Sequence, residues 1–375
     1  MSELTKGELH RYRCHLTLPG FGSEGQELLK ASSVLVVGAG GLGCPALQYL
    51  AAAGVGTLGI VDDDRISRSN LQRQILYTEA EIGRLKAETA ARRLRAMNST
   101  IRCEVYSCRF TAENAFDLVR GYDVVVDGSD NFATRYLIND ACVLTEKPFV
   151  YGALYTLQGQ ASVFNYQSGP TYRCLFPEPP DPRNTPNCSE VGVIGVLPGM
   201  IGIIQATEVI KIVTGIGQPL SGKLLLLDAV DMSRRIVEFE RTDAAAVRDL
   251  VEQPHACTET SAHCTSDEIE VPGLQAVLDG DGPCQLIDVR EAWERDLCCI
   301  DSVHFPLGPL LERRKTLADY ELRPDLPTFV YCKSGVRSLR ALPVLRDHYG
   351  FRDVRSLAGG ILAWAERIDP SLPRY

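Results

Sequence analysis

The sequence predicts an α/β protein of two unequal units, the larger of which is built on a mainly parallel sheet. Over residues 31–242, β-branched and aliphatic runs alternate with amphipathic segments, as they do where helices cover both faces of a parallel sheet. Large apolar residues then become scarce, and a second alternation of the same kind follows. We therefore predict a first domain over 1–242, a linker over 243–265 and a second domain over 266–375.

Composition limits the classes of protein that need to be considered. The chain has 375 residues, 45% apolar and 23% charged, which is typical of an ordinary globular protein of two or three domains and excludes wholesale disorder. Its formal net charge is −9. A general nucleic-acid binder needs a basic footprint to displace the counterions of the phosphates, so we expect no direct nucleic-acid partner.

Targeting signals and cysteine usage predict a cytoplasmic protein without a membrane segment. The longest uncharged apolar stretch, 191–204, has 14 residues and contains Pro198, whereas a spanning helix needs about 20. Residues 1–10 lack the apolar core of a secretory signal. The 13 cysteines are odd in number and scattered, which indicates free thiols rather than disulfides.

The predicted elements follow from these apolar patterns. In the first domain, the predicted strands are 33–37, 57–61, 101–106, 123–126, 149–153 and 160–165. A helix is predicted after them, over 200–213. In the second domain, they are strands 284–288 and 328–331 and helix 338–349.

A glycine-rich loop connects the first strand to a helix that begins at Cys44. In such loops, missing side chains let the backbone turn tightly and approach phosphates at a helix N-terminus. Asp62 lies 19 residues after the last loop glycine, where it can accept a hydrogen bond from a ribose hydroxyl. The glycines of this pattern are Gly38, Gly40 and Gly43. A tight turn alone explains bare glycines, but the strand, the helix and the acid together predict a nucleotide site.

Polar residues that follow neighbouring strands indicate the type of nucleotide chemistry. Attack on an α-phosphate needs cations to neutralise the charge on the phosphoryl oxygens, whereas hydride transfer does not. Arg73 lies in the segment 69–74, Lys86 begins the next helical stretch, and Asp130 and Asn131 follow the strand 123–126. Strand ends at the carboxyl edge of a parallel sheet meet at one crevice, so we expect these residues to converge on a triphosphate.

The larger domain resembles the MoeB/ThiF-type adenylyltransferases, which are relatives of ubiquitin-activating enzymes and activate small ubiquitin-like sulfur carriers. The resemblance covers about the first 240 residues, in segments 11–12, 38–45, 62, 69–74, 86, 128–131, 172–178 and 192–212. It implies a Rossmann-like fold, a homodimer, and a reaction that joins the carrier's C-terminal Gly-Gly carboxylate to AMP with release of pyrophosphate. It implies that Asp130 holds a magnesium ion and that ATP is bound by Gly41, Asp62, Ser69, Asn70, Leu71, Gln72, Arg73, Lys86, Asp130 and Asn131.

Cys188 lies in the polar, proline-bearing stretch 182–190, which we expect to be an exposed loop. Its position matches the cysteine that, in the resembled family, can take up the carrier as a thioester or acyl disulfide. Exposure and the nearby Arg183 are compatible with a reactive thiolate. An incidental loop cysteine is the alternative.

The chain departs from the family at two places. Many relatives hold a structural zinc with two Cys-x-x-Cys pairs, but Thr171 replaces the first cysteine here, only Cys174 remains of that pair, and no second pair follows Ala229. We therefore predict no structural zinc. Cys14 occupies the position of a family arginine that reaches the partner subunit's ATP, and whether Arg13 replaces it stays open. Four possible metal ligands fit no standard spacing and are interpreted as linker residues: His255, Cys257, His263 and Cys264.

The second domain carries a cysteine loop between a strand and a helix. The loop is Cys332-Lys333-Ser334-Gly335-Val336-Arg337. Backbone N–H donors and a helix N-terminus stabilise an anionic sulfur in this setting. Phosphate-ester hydrolysis would use five residues between the cysteine and the arginine, whereas this loop has four, which favours sulfur transfer; an inert buried cysteine is the remaining alternative.

Residues 266–375 resemble a rhodanese sulfurtransferase domain, because segments 286–291 and 359–364 flank the cysteine loop. This resemblance implies that Cys332 carries a persulfide and that Asp288 and Arg290 are structural.

The two resemblances together imply an enzyme that adenylylates a ubiquitin-like carrier ending in Gly-Gly and then forms its thiocarboxylate with sulfur from Cys332. A cysteine desulfurase or thiosulfate is the expected sulfur donor, and fusion raises the local concentration of the persulfide. The same machinery serves molybdenum-cofactor, thiamine, tRNA-thiolation and siderophore pathways, and the sequence does not distinguish them. A dehydrogenase and a carrier-binding or persulfide-sensing scaffold are the alternatives.

Overall fold

The computed structural model describes residues 3–180, 192–250, 267–280, 282–313 and 316–373. The chain forms two compact units, Met1–Ala256 and Cys257–Tyr375, and each unit has its own sheet. Both sheets combine parallel strands with helical crossovers, so the predicted α/β fold class is confirmed.

The larger unit forms an eight-stranded sheet in the part of the chain that is described. Its strands are β1 (Ser33–Val37), β2 (Thr57–Val61), β3 (Arg102–Tyr106), β4 (Val124–Asp127), β5 (Phe149–Tyr155), β6 (Gln158–Phe164), β7 (Lys223–Asp228) and β8 (Arg234–Glu238). Its α-helices are α1 (Lys6–Arg11), α2 (Arg13–Leu16), α3 (Gly22–Ala31), α4 (Gly43–Ala53), α5 (Lys86–Met97), α6 (Ala112–Arg120), α7 (Phe132–Leu144), α8 (Tyr172–Leu175) and α9 (Val196–Thr214).

The strand order is β3-β2-β1-β4-β5-β6-β7-β8, and the chain direction changes after β5. The first five strands pair in parallel, whereas β6, β7 and β8 add antiparallel pairs. The mainly parallel part was predicted, but β7 and β8 were not. Every residue of β8 is exposed, so this strand has no buried face and no apolar alternation to reveal it.

The central strands are buried on both faces of the sheet. Val34, Leu35 and Val36 are fully buried in β1, and Val125 and Val126 are fully buried in β4. Strands covered on both faces consist of continuous apolar runs, which explains why these strands were clear in the sequence. The burial fixes the positions of their carboxyl ends, from which the loops of the first site leave.

Helix α9 begins four residues earlier than predicted, at Val196. Pro198 lies in its first turn, where the missing N–H would have had no partner within the helix. Among the described residues, α9 alone is long and apolar enough to cross a membrane by length and composition, with a mean hydropathy of 1.6. It packs against α4, β5 and β6, and Leu197, Ile201 and Val209 belong to the core.

The smaller unit forms a five-stranded sheet of order β11-β10-β12-β13-β9, in which all described pairs are parallel. Its elements are β9 (Glu268–Ile269), α10 (Val271–Leu278), β10 (Gln285–Asp288), α11 (Ala292–Leu297), β11 (Val303–His304), α12 (Leu307–Glu312), β12 (Thr328–Tyr331), α13 (Val336–Asp347), β13 (Val354–Leu357) and α14 (Gly360–Arg367). The two central strands were predicted within one residue, whereas the two-residue strands are too short to carry a pattern.

A buried ion pair holds the centre of this unit together. Arg290 and Asp288 are both fully buried, with distances of 2.9 Å from Nε to Oδ1 and 2.7 Å from Nη2 to Oδ2. The Tyr331 hydroxyl donates to Asp288 Oδ2 at 2.9 Å, and the Arg290 guanidinium also donates to the carbonyl of Cys298 at 2.8 Å.

We expect Asp288→Ala to lower the free energy of unfolding of the smaller unit by about 3 to 5 kcal/mol, because the buried Arg290 charge loses its counterion. Urea denaturation of the full chain, followed by near-ultraviolet circular dichroism, measures the loss. The matched control is Asp325→Ala, since Asp325 pairs with Arg323 at the surface. An equal loss in both variants would contradict a special role for the buried pair.

Candidate functional site

The glycine loop lies where β1, β4 and the start of α4 meet. Gly38 has φ +96°, and a Cβ there would lie 2.6 Å from the carbonyl oxygen of Gly128. A Cβ on Gly43 would lie 1.9 Å from the carbonyl oxygen of Gly38. Only glycine fits at both positions, and this crossing joins the loops that follow β1 and β4 at the carboxyl edge of the sheet.

Asp62 lies just beyond the end of β2 and supports the glycine loop. Its Oδ2 accepts from the Ala39 N–H at 2.8 Å, and its Oδ1 accepts from the Asp64 N–H at 2.9 Å. Burial raises the pKa of the Asp62 carboxyl, and the positive charge of Lys86 opposes that rise. An acceptor at this position suits a ribose hydroxyl, as the sequence predicts.

Lys86 begins α5 and is 5% exposed. Its Nζ lies 2.7 Å from Oδ2 of Asp64, whose side chain is 69% exposed. A surface carboxylate can rotate away at little cost, since exposed ion pairs contribute little to stability. Lys86 is therefore a buried cation whose present partner is replaceable by another anion.

The segment 69–74 packs beside the glycine loop. A Cβ on Gly41 would lie 3.6 Å from Cδ of Arg73 and 3.2 Å from Cβ of Pro198. Arg73 donates to the carbonyl of Ser69 at 3.1 Å, and Asn70 Oδ1 accepts from the N–H of Ser67 at 3.2 Å. The structure thus brings Arg73 to Gly41. Asn70 shapes the segment, Leu71 is half-buried, and Gln72 is exposed.

Asp130 and Asn131 follow β4 on the loop that contacts Gly38 through Gly128. Asp130 is exposed, whereas the Asn131 side chain accepts from the N–H of Thr134 at 2.9 Å and caps α7. The sequence interpretation gave Asn131 a nucleotide role. Its hydrogen bond to Thr134 adds a structural role, which is the usual function of asparagine at this position.

Sequence reasoning missed Arg135, a buried cation under this loop. Its Nε lies 2.9 Å from Oδ2 of Asp127, and both side chains are almost completely buried. The guanidinium also lies 5.0 Å from the ring centre of Tyr151. Burial lowers the pKa of Arg135, but the charge and hydrogen bond of Asp127, together with Tyr151 and Tyr172, more than offset that effect and raise it. Arg135 lies four residues after Asn131, and that spacing alone does not indicate a functional residue.

The sequence analysis also did not predict that the side chain of Gln74 faces the glycine loop. Gln74 is 3% exposed, and a Cβ on Gly40 would lie 3.6 Å from its Nε2. Its Oε1 has no hydrogen-bond partner within the described structure. A buried amide oxygen without a partner costs free energy, so this crevice has the character of a polar ligand site.

Apart from this crevice, the larger unit has an apolar cavity of about 520 Å³ lined by Phe132, Tyr136, Tyr172 and Phe176. Aromatic walls offer few donors for phosphates. The glycine loop, with Arg73 beside Gly41, suits phosphates better.

The cysteine loop of the smaller unit joins β12 to α13 as predicted. Cys332 is fully buried, and its Sγ accepts from the N–H of Gly335 at 3.1 Å. Gly335 has φ +99° and caps the N-terminus of α13, while a Cβ on Gly360 would lie 2.5 Å from the carbonyl oxygen of Cys332. The sulfur therefore lies at the positive end of a helix inside a closely packed turn.

Arg337, the last residue of this loop, is anchored to a neighbouring helix. Its guanidinium binds Glu294 of α11 at 2.6 Å and 2.7 Å, and Glu294 is 3% exposed. Bidentate pairing fixes both the position and the orientation of the arginine. Lys333, Ser334 and Val336 are half-exposed around the rim of the loop.

Cys174, which remains from the family's first Cys-x-x-Cys pair, is a hydrogen-bonded thiol. Thr171 is fully buried, and its backbone N–H lies 3.3 Å from Sγ of Cys174, while the N–H of Thr242 lies 3.4 Å from it. Burial raises the pKa of Cys174, but the donors of Thr171 and Thr242 more than offset this rise and lower the pKa.

Within the described ranges, no three His, Cys, Asp or Glu residues form a cluster that could hold a metal ion. Cys188, His255, Cys257, His263 and Cys264 lie outside the described residues.

We expect elemental analysis of purified protein to find well under one zinc per chain, because the first cysteine of the pair is replaced by Thr171. Inductively coupled plasma mass spectrometry after chelator treatment measures it. A stoichiometric zinc that resists the chelator would contradict the prediction and direct attention to the linker histidines and cysteines.

Fold and sites together define a nucleotide-binding unit with α-phosphate chemistry, fused to a unit with a sulfur-stabilising cysteine loop. The chain belongs to the ThiF family, whose model matches residues 12–247, and a rhodanese-like domain model matches residues 274–367. The dehydrogenase alternative is therefore set aside.

Curated relatives share the whole chain. It is 42% identical to "Probable adenylyltransferase/sulfurtransferase MoeZ" of Mycobacterium tuberculosis, over 100% of this chain and 97% of that protein. It is 40% identical to "Adenylyltransferase and sulfurtransferase MOCS3" of Mus musculus, over 99% and 88%. Among solved structures, E. coli MccB has the same fold, with a TM-score of 0.57 at 20% identity over 67% of this chain and 76% of that one.

Proposed function

We propose that the chain adenylylates the C-terminal Gly-Gly of a ubiquitin-like sulfur carrier and then converts it to a thiocarboxylate with sulfur from Cys332. One observation carries the proposal. A single chain combines a glycine crevice that holds Arg73 and the buried Lys86 with a Cys332 sulfur that accepts an N–H at a helix N-terminus. The names of the full-length relatives combine the same two activities.

The first site fits ATP because its features match the parts of the molecule. The loop Gly38–Gly43 offers backbone donors to phosphates, Asp62 offers an acceptor to the ribose, and Arg73 and Lys86 offer positive charge to the phosphoryl oxygens. Asp130 would hold magnesium, which neutralises charge on the departing pyrophosphate when bound.

Activation of the carrier follows from these charges. A carboxylate is a poor electrophile until one of its oxygens becomes part of a good leaving group. The carrier's terminal carboxylate oxygen attacks the α-phosphorus, the bond to the β-phosphate oxygen breaks, and pyrophosphate leaves. Arg73 and Lys86 stabilise the added charge on the phosphoryl oxygens during this displacement.

Sulfur enters the carrier in three steps. The Cys332 thiolate attacks the outer sulfur of a donor such as thiosulfate, an S–S bond forms, and sulfite leaves with the electron pair of the broken bond. The terminal sulfur of the persulfide then attacks the carrier's activated carbonyl carbon and AMP leaves. We assign release of the thiocarboxylate to Cys188. Its thiolate attacks the Cys332 sulfur of this acyl disulfide, the thiocarboxylate leaves with the electron pair of the broken S–S bond, and an external dithiol reduces the resulting Cys188–Cys332 disulfide.

We also propose a homodimer formed through the larger unit, a cytoplasmic location, and a cysteine desulfurase as an alternative sulfur source. The family resemblance supports the dimer, and the odd number of scattered cysteines, which is typical of free thiols, supports the location.

The test of the proposed function is exchange of labelled pyrophosphate into ATP in the presence of a ubiquitin-like carrier ending in Gly-Gly. We expect exchange with the intact carrier and none with the same carrier lacking its last glycine, because the carboxylate can no longer reach the α-phosphorus. Exchange that is independent of the carrier would contradict the assignment.

A further inference from the structure

Two buried hydroxyl groups lie behind the sulfur of Cys332. Ser338 belongs to the first turn of α13 and Ser356 to β13, and neither residue is exposed. Ser338 Oγ lies 3.6 Å from Cys332 Sγ and 2.8 Å from the carbonyl oxygen of Gly335. Ser356 Oγ lies 2.8 Å from Ser338 Oγ and 3.5 Å from the same carbonyl.

These distances allow two hydrogen-bond arrangements. A hydroxyl has one proton, so Ser338 can donate either to the Gly335 carbonyl or to the sulfur at one time. When Ser338 donates to the sulfur, Ser356 can donate to Ser338 Oγ or to the Gly335 carbonyl. The Gly335 carbonyl also accepts from the N–H of Leu339 at 3.1 Å, so it stays paired when Ser338 turns toward the sulfur. Ser356 can donate to Ser338 Oγ in both arrangements and thereby hold the Ser338 hydroxyl in position.

We propose that Ser338 is a catalytic residue of persulfide formation and that Ser356 is its positioning residue. Ser338 donates to Cys332 Sγ while the sulfur carries negative charge. As the outer sulfur of thiosulfate is taken up and sulfite leaves, the charge moves to the new terminal sulfur. Ser338 then returns to the Gly335 carbonyl. This inference rests on the proposed role of Cys332 and adds two residues to that site.

The test measures persulfide formation from thiosulfate by rapid-quench cyanolysis of the full-length protein. A hydrogen bond to a charged group is worth about a 10- to 100-fold change in an equilibrium or rate. We expect Ser338→Ala to slow the rate at saturating thiosulfate by about that factor and to leave the thiosulfate KM unchanged. Ser356→Ala should slow it less, and Ser356→Thr, which keeps the hydroxyl, should restore it.

A double-mutant cycle separates positioning from packing. Because Ser356 acts through Ser338, Ser356→Ala should have little further effect on the rate once Ser338 is alanine. Thr328→Val is the matched control, since Thr328 is a fully buried hydroxyl residue at the start of β12, the strand that precedes Cys332. Its hydroxyl donates to the carbonyl of Leu326 and accepts from Gln285 instead. Its rate should stay within about twofold of wild type.

A Ser338→Ala rate within twofold of wild type would overturn the proposal. So would an equal loss in Thr328→Val, or an undiminished effect of Ser356→Ala in the Ser338→Ala background. Cys332→Ser distinguishes the proposed role of Cys332 from the proposed roles of Ser338 and Ser356. If persulfide still forms in Cys332→Ser, the proposed function fails, whereas failure of the serine variants alone leaves the role of Cys332 intact.

Discussion

Arg73→Ala should lower carrier-dependent exchange of pyrophosphate by at least about 100-fold, because a cation that stabilises charge developing at the α-phosphate is lost. Arg73 lies against Gly41 of the glycine loop. Asp130→Ala should have a similar effect, since the proposed magnesium ligand is lost. Exchange of labelled pyrophosphate into ATP measures both.

The two units of the chain supply internal controls for this result. Formation of persulfide from thiosulfate should be unchanged in Arg73→Ala and Asp130→Ala, because the cysteine loop belongs to the other unit. Arg68→Ala is the matched control, since Arg68 directly precedes the segment 69–74 but pairs with Glu79 at the surface. Full exchange activity in both Arg73→Ala and Asp130→Ala would refute the adenylation site.

Cys332→Ser should abolish persulfide loading while AMP formation on the carrier continues. Serine removes the sulfur that accepts the Gly335 N–H, and an alcohol in its place forms no persulfide. Thiosulfate-dependent sulfite release measures the first effect, and carrier-dependent AMP formation measures the second.

Two further cysteine variants sharpen this prediction. Cys299→Ser is the matched control in the same unit, because Cys299 is exposed, and it should load normally. Cys188→Ser should keep adenylation and persulfide loading but lose any conjugate of the carrier at residue 188. When an external thiol is present, we expect Cys188→Ser to lose less thiocarboxylate formation than Cys332→Ser, since that thiol can release the product. Normal loading of Cys332→Ser would refute the role of Cys332.

The parts of the fold that the sequence predicted are those in which burial imposes a pattern. Strands β1, β2 and β12 match their predictions residue for residue, because apolar runs bounded by glycine or polar residues have few other interpretations. β8 is exposed throughout and β11 has only two residues, so neither carries a pattern. The start of α9 was predicted four residues too late, and Pro198 lies in the first turn of the helix, where proline is tolerated.

At the candidate sites, too, some features were predicted from the sequence and others were not. Glycines that cannot be replaced, such as Gly38 and Gly43, were visible as a motif, since their spacing is local. The pairing of Lys86 with Asp64 and the relay from Ser356 to Ser338 join residues that are far apart or lack a characteristic spacing. Only tertiary structure brings such partners together, so the sequence predicted the types of chemistry better than the contacts that tune them.

The mass of the carrier after a single turnover with ATP, magnesium and a persulfide donor shows whether one chain both activates the carrier and supplies its sulfur from Cys332. Wild-type protein should give a carrier that shows the replacement of one oxygen by sulfur, and Cys332→Ser should give adenylylated or unmodified carrier only. If Cys332→Ser still forms thiocarboxylate with a donor that reaches no other thiol of the chain, the proposed sulfur route is contradicted.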